Sequence, residues 1–181
     1  GELELSSTTT EAISDGNITV FGDFDGSAAN NFTPTGGTLT MDGSGADAGI
    51  TMHSSANFNN LTVNSGSYDV DAGSNFDVDG ALTISGGELD ILARTVTVAG
   101  ASDVASGATL NIDGSGVYDA NGSFDANGGN ITMDGTARLQ LSAAGSGVSN
   151  LGTLDVLAGT VVYDGGAQNV LADDYYNLVI D

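Results

Sequence analysis

The chain has 181 residues, with 28 Gly, one Pro, no Cys and no Trp, and a formal net charge of −22. Its two cationic side chains, Arg94 and Arg138, stand against 24 acidic ones, so no basic surface exists to neutralise phosphates, and both nucleic-acid binding and docking on anionic lipid are excluded. The missing cysteines remove disulfides, thiolate catalysis and thiolate metal sites, while a regularly spaced 40% of hydrophobic residues separates the chain from charge-expanded disordered polymers.

The opening residues, GELELSSTTT, lack the basic and apolar regions of a secretory signal, and no apolar run is long enough to span a bilayer. The sequence therefore reads as a mature or excised piece with no membrane insertion. From there the chain is punctuated by pairs of apolar residues with one polar or small residue between them. In order they include Leu39/Met41, Ile50/Met52, Leu61/Val63, Phe76/Val78, Leu82/Ile84, Leu89/Ile91 and Val96/Val98. The series continues with Leu110/Ile112, Ile131/Met133, Leu139/Leu141, Leu154/Val156, Val161/Tyr163 and Leu178/Ile180. Such alternation predicts strands of about three to five residues, each burying one face. Between them lie turn-forming stretches such as Asn64-Ser-Gly66, Ser85-Gly-Gly87 and Asp113-Gly-Ser-Gly116.

A longer likeness runs through the same residues. The segment Gly36–Gly43 (GGTLTMDG) returns as Gly128–Gly135 (GGNITMDG), a displacement of 92 (128 − 36). Gly1-Glu-Leu-Glu-Leu5 likewise returns as Gly87-Glu-Leu-Asp-Ile91, displaced by 86 (87 − 1). These matches divide residues 1–181 into two tandem repeats, about 1–86 and 87–181, in one continuous array. Leu82-Thr-Ile84 is matched with Leu178-Val-Ile180, which places the end of the chain where a further unit would begin.

Strands this short cannot make a stable hairpin alone. Stacked coil upon coil at about 4.8 Å, they can bury a common core and pair every backbone group. Coils of roughly 20–25 residues would give on the order of eight turns in a rod of about 40 Å. The expected fold is all-β, a β-solenoid of short stacked strands, with tandem β-sandwich domains as the alternative.

One segment is more specific. Val161-Val-Tyr-Asp-Gly-Gly-Ala-Gln-Asn-Val170 followed by Tyr175-Tyr-Asn-Leu-Val-Ile180 resembles a motif of large repetitive bacterial surface proteins of the filamentous-haemagglutinin and autotransporter-adhesin group; Phe58-Asn-Asn-Leu-Thr-Val63 looks like a variant. The resemblance implies a right-handed parallel β-helix and a secreted or cell-surface location. Read from the residues themselves, Tyr163, Tyr175 and Tyr176 suit a corner where a ring packs inward and its hydroxyl stays wet. Asn60 and Asn177 suit turns where a side-chain amide satisfies backbone groups.

Material for catalysis is thin. His53 is the one histidine. Asp69, Asp71, Asp77 and Asp79 are the carboxylates nearest to a glycosidase or lyase pair, yet they alternate with valines expected to point inward, so all four are expected outside. No catalytic residue, cofactor site or metal site is therefore assigned. Asp42–Asp47 and Asp113–Gly116 lack the spacing of an EF-hand, which leaves weak Ca²⁺ binding by outward aspartates. Thr38/Thr40 and Thr95/Thr97 raise an ice-binding ladder but do not recur in pairs, so β propensity explains them.

The expected function is structural and not enzymatic: a fibre-forming or stalk segment, partnered by further copies through end-to-end stacking. The alternative is a glycan- or surface-binding adhesin module. No cap is evident at either end of the sequence.

Overall fold

The structure is a computed structural model that describes residues 1–5, 15–71 and 75–181, and every regular element among them is a β-strand. The first eleven are β1 (Leu3–Glu4), β2 (Ile18–Val20), β3 (Phe24–Gly26), β4 (Thr38–Asp42), β5 (Ala48–Met52), β6 (Asn57–Phe58), β7 (Asn60–Ser65), β8 (Ser67–Val70), β9 (Phe76–Val78), β10 (Leu82–Ile84) and β11 (Glu88–Ile91). They are followed by β12 (Thr95–Val98), β13 (Ser102–Val104), β14 (Thr109–Ile112), β15 (Val117–Ala120), β16 (Phe124–Asp125), β17 (Asn130–Met133), β18 (Arg138–Leu141), β19 (Val148–Asn150), β20 (Thr153–Val156), β21 (Thr160–Tyr163) and β22 (Leu178–Ile180). The Ser-Thr stretch after Leu5 lies outside the described residues.

Three sheets hold all of them. Sheet I runs β1-β3-β5-β8-β11-β14-β17-β20, sheet II runs β2-β4-β7-β10-β13-β16-β19, and sheet III runs β6-β9-β12-β15-β18-β21-β22. Every pairing is parallel. β1 to β4 alternate between sheets I and II, and from β5 to β21 the chain visits sheet I, then III, then II, and repeats, which makes a β-solenoid of about eight turns. Sandwich domains would need antiparallel hairpins, and none occurs among the described strands.

Ser67, Glu88, Thr109, Asn130 and Thr153 lie one above another on sheet I. The displacement from one coil to the next is thus 21 three times running (88 − 67, 109 − 88, 130 − 109) and then 23 (153 − 130). The displacement of 92 does not return a strand to its own sheet: Leu39 and Met41 belong to β4 on sheet II, Ile131 and Met133 to β17 on sheet I. Likewise Leu82–Ile84 is seated on sheet II and Leu178–Ile180 on sheet III.

The alternation seen in the sequence is what fills the core. Leu89 and Ile91 stack on Leu110 and Ile112, and these on Ile131 and Met133, with the first five fully buried and Met133 nearly so. Each aliphatic side chain so buried contributes about 1.5–3 kcal/mol. The early coils carry an aromatic stack, in which Phe58 sits 5.5 Å from Phe24 and 5.2 Å from Phe76 between ring centroids. Corners from sheet II into sheet I recur on a left-handed glycine, as at Gly66, Gly87, Gly107, Gly128 and Gly152. Only glycine reaches that conformation without steric cost.

Several buried polar groups are paired between neighbouring coils. Tyr68 accepts at its hydroxyl from the Gly43 amide at 2.5 Å, and Tyr118 donates to Ser102 at 2.9 Å. Asn60 spans three coils, its Nδ2 donating to Gly37 O at 2.9 Å and its Oδ1 accepting from the Ala81 amide at 2.8 Å. Asn60→Ala strands two backbone groups at one corner. It is expected to lower stability by about 1–2 kcal/mol in equilibrium urea denaturation, and an unchanged midpoint would show the corner to be solvated instead.

Candidate functional site

Two features of the fold could bear on function: the acidic outer face of sheet I and the C-terminal end of the stack.

On sheet I the outward row is Gly49, Asp69, Asp90, Asn111, Thr132 and Asp155, one per coil. Asp69 and Asp90 are direct neighbours, with Glu88 beside them on β11. Asp90 has one carboxylate oxygen, Oδ1, buried without a hydrogen-bond partner. Burial, and then repulsion from Asp113 and Asp69, push its carboxyl up to about 7, against the pull of a hydrogen bond with Asn111. Burial likewise raises Asp69 and Glu88, each reinforced by neighbouring carboxylates.

The carboxylates singled out in the sequence are outward, as the alternation required, but they are not assembled. Asp69 is on β8 of sheet I, with Asp71 just past its end, whereas Asp77 is on β9 of sheet III, with Asp79 just past its end and accepting from the side-chain Nδ2 of Asn57. His53 is half-buried in a turn, its Nδ1 2.8 Å from Ser55 Oγ, while Ser55 Oγ lies 2.9 Å from Asn30 O in the preceding coil. Asp42 accepts from Asn64 and Ser65 at 2.9 and 3.0 Å, and Asp134 accepts from the Gly114 amide at 2.8 Å. Among the described residues, no three His, Cys, Asp or Glu side chains are grouped so as to hold a metal ion.

Thr-x-Thr pairs do not recur, but single threonines do: Thr19, Thr40, Thr62 and Thr83 form an outward row on sheet II through four successive coils, ended by Asp103. Their sequence signal was a displacement of 21, 22 and 21 (40 − 19, 62 − 40, 83 − 62).

At the C-terminal end the chain leaves β21 and returns to sheet III as β22 with a displacement of only 17 (178 − 161), without forming strands on sheets II or I. The intervening segment 164–177 crosses the end of the core, and Leu171 and Tyr175 pack on it. Gln168 clips the segment to the coil beneath, with Nε2 donating to Leu141 O at 2.6 Å and Ala143 O at 2.8 Å. Asn177 donates to Gly159 O at 2.9 Å, as the turn reading anticipated. Tyr163 departs from its expected role: it is fully buried, and its hydroxyl meets Tyr175 at 3.2 Å and the Leu171 amide at 3.4 Å instead of solvent. Tyr176 is exposed. The expectation of uncapped ends is thus corrected here, since 164–177 is a partial cap.

The cap leaves β22 uncovered. Leu178 and Ile180 occupy the inward positions above Val161 and Tyr163, yet they are 39% and 67% exposed where the two below are 0%. Among the described residues no helix is long and apolar enough to cross a membrane.

No family model matches the chain, and no curated protein or solved structure matches it.

Proposed function

We propose that this chain is a structural segment of an extracellular bacterial fibre or adhesin stalk, of the filamentous-haemagglutinin and autotransporter-adhesin kind, which carries load along its axis and catalyses nothing. The observation that carries the reading is the stack itself, in which the strands of successive coils pair in parallel along three sheets, the last of them β22. An exposed parallel edge with an apolar inner face is a template for another strand. Contact made at opposite ends of a rod does not close on itself and therefore extends into a filament.

Further support comes from the regularity of the coils from β8 to β17, each displaced by 21 residues on sheet I, and among the described residues the only large aromatic side chains strongly exposed are Phe21 and Tyr176, too few for a glycan-stacking platform. Negative-stain electron microscopy of the concentrated protein should show linear particles longer than the roughly 40 Å expected of a single stack of eight coils. A field of uniform single rods at every concentration would end the fibre reading.

A further inference from the structure

We infer that Tyr163 and Tyr175 form a crosslinking site: a one-electron oxidant of the haem-peroxidase class, working with hydrogen peroxide, joins their rings into a dityrosine that staples segment 164–177 to the coil beneath. This goes beyond the fibre reading and does not depend on it. The two rings meet edge to face, with centroids 6.5 Å apart and an interplanar angle of 84°, and their hydroxyls lie 3.2 Å apart. Among the described residues no other two tyrosines are in ring contact.

The hydrogen bonds around the pair have one consistent direction. Tyr175 donates to Leu171 O at 2.7 Å, and each phenol has one proton to give, so the Tyr175 oxygen accepts from Tyr163. The Tyr163 oxygen in turn accepts from the Leu171 amide at 3.4 Å. Burial raises the Tyr175 phenol above its ordinary range, so the group that is oxidised is the neutral phenol, which sheds its proton as it loses its electron. Tyr175 is half-buried and within reach of an oxidant, whereas Tyr163 is fully buried. A Tyr175 phenoxyl takes the hydrogen atom that Tyr163 already points at it, which moves the radical inward, and a second oxidation of Tyr175 leaves two radicals side by side. A carbon–carbon bond then forms between ring positions ortho to the hydroxyls, and the hydrogen on each of those carbons moves to its phenol oxygen. In sum the pair gives up two electrons and two protons, which reduce one hydrogen peroxide to two waters.

Coupling needs the rings to slide closer, and their supports differ in stiffness. Tyr163 is fixed on β21 between β18 and β22, while Tyr175 belongs to a segment with no regular strand. The chain has no cysteine, so no disulfide can hold this segment down. A bond between the two tyrosines closes a loop of 12 residues (175 − 163) and limits the opened segment as a disulfide would. Opening should become rarer by on the order of a hundredfold for a loop of this size. Hydrogen exchange at the Asn169 amide, bonded to Gly145 O at 3.0 Å, reports it.

The test treats the full chain with a haem peroxidase and equimolar hydrogen peroxide, then takes intact mass, dityrosine fluorescence and a fragment map after cleavage at aspartates, which separates the two tyrosines at Asp164, Asp173 and Asp174. The expected product is a fluorescent monomer lighter by two hydrogens, with the fragment of Tyr163 joined to that of Tyr175 and slowed exchange at Asn169. Tyr163→Phe and Tyr175→Phe should each abolish it with an unchanged circular dichroism spectrum, and Tyr176→Phe, at the exposed neighbour, should leave it. The wild-type fragment map decides even if a variant fails to fold. A dimer joined through Tyr176 in place of the internal link, or an unreacted chain under conditions that couple free tyrosine, overturns the site. Exchange at Asn169 that is equal before and after crosslinking overturns the staple. Each of these outcomes leaves the fibre reading as it stood.

Discussion

Gly87→Ala should destabilise the protein by about 3 kcal/mol, whereas Gly107→Ala, one coil further along at the same corner, should cost only about 1 kcal/mol. Both glycines are left-handed, with φ of +73° and +83°, so each alanine incurs the steric penalty of that conformation. They differ in what lies below. A Cβ on Gly87 would come within 2.0 Å of the Gly66 carbonyl oxygen, the acceptor of the Glu88 amide at 2.8 Å, while a Cβ on Gly107 would meet nothing within 4 Å. The first alanine therefore has to lift one coil off the next and weaken the axial hydrogen bonds on either side of the corner. Because each coil touches only its neighbours, a break in the middle uncouples two half-stacks, and the Gly87→Ala transition should broaden or split as well as shift. Equilibrium urea denaturation followed by circular dichroism reads both effects. Equal costs at the two positions would show that coil spacing at this corner is not limited by contact.

The same corner shows why the sequence was legible in class and illegible in register. Alternation in Leu89/Ile91 or Leu110/Ile112 reports which side chains face inward, and that alone required short strands and stacking. Which strand lies on which is a matter of coil length, and two signals competed for it. The conspicuous one, GGTLTMDG against GGNITMDG, pairs strands of different sheets, because any apolar-x-apolar strand between glycines satisfies the same local chemistry on any face. The quieter one was the even spacing of Asp69, Asp90, Asn111 and Thr132, which differ in chemistry and so carry no obvious likeness. For that reason the carboxylate row was not visible as a row. The cap was hidden differently. Tyr163, Gln168 and Tyr175 stood out as a motif, but their hydroxyl-to-hydroxyl contact and their axial clips exist only once 164–177 takes its short cut across the core.

That carboxylate row sets the second large effect, which is on pH dependence. Asp90 faces Asp69 from one side and Asn111 from the other, with Glu88 on its own strand and Asp113 in the next coil, so every charged group around it is negative. Its folded carboxyl titrates near 7, well above the usual carboxylate range, so the folded state holds this proton where the unfolded chain has released it. Folding stability attributable to Asp90 is thus fully present below about pH 4 and is lost as pH rises towards about 7. Asp69, Glu88 and Asp119 are raised by burial and change stability in the same direction; Asp15 and Asp25, lowered by hydrogen bonds from Thr35 and Ser27, act in the opposite direction at the acidic end. The protein should therefore be most stable in mild acid and weaken towards neutrality. Asp90→Asn keeps the shape of the side chain, removes the charge and should raise stability at pH 8 by about 1 kcal/mol, solvent on the open side of the sheet screening the remainder. Below about pH 4 the gain should vanish. Asp77→Asn removes the same unit of net charge from an exposed position between Asn57 and Thr97, so it separates a local effect from general relief of an acidic chain. Thermal unfolding of the three proteins between pH 4 and pH 8 makes the comparison. A pH slope that is identical in all three would mean that the row is solvated and that Asp90 loses its proton in the folded protein as readily as in the unfolded one.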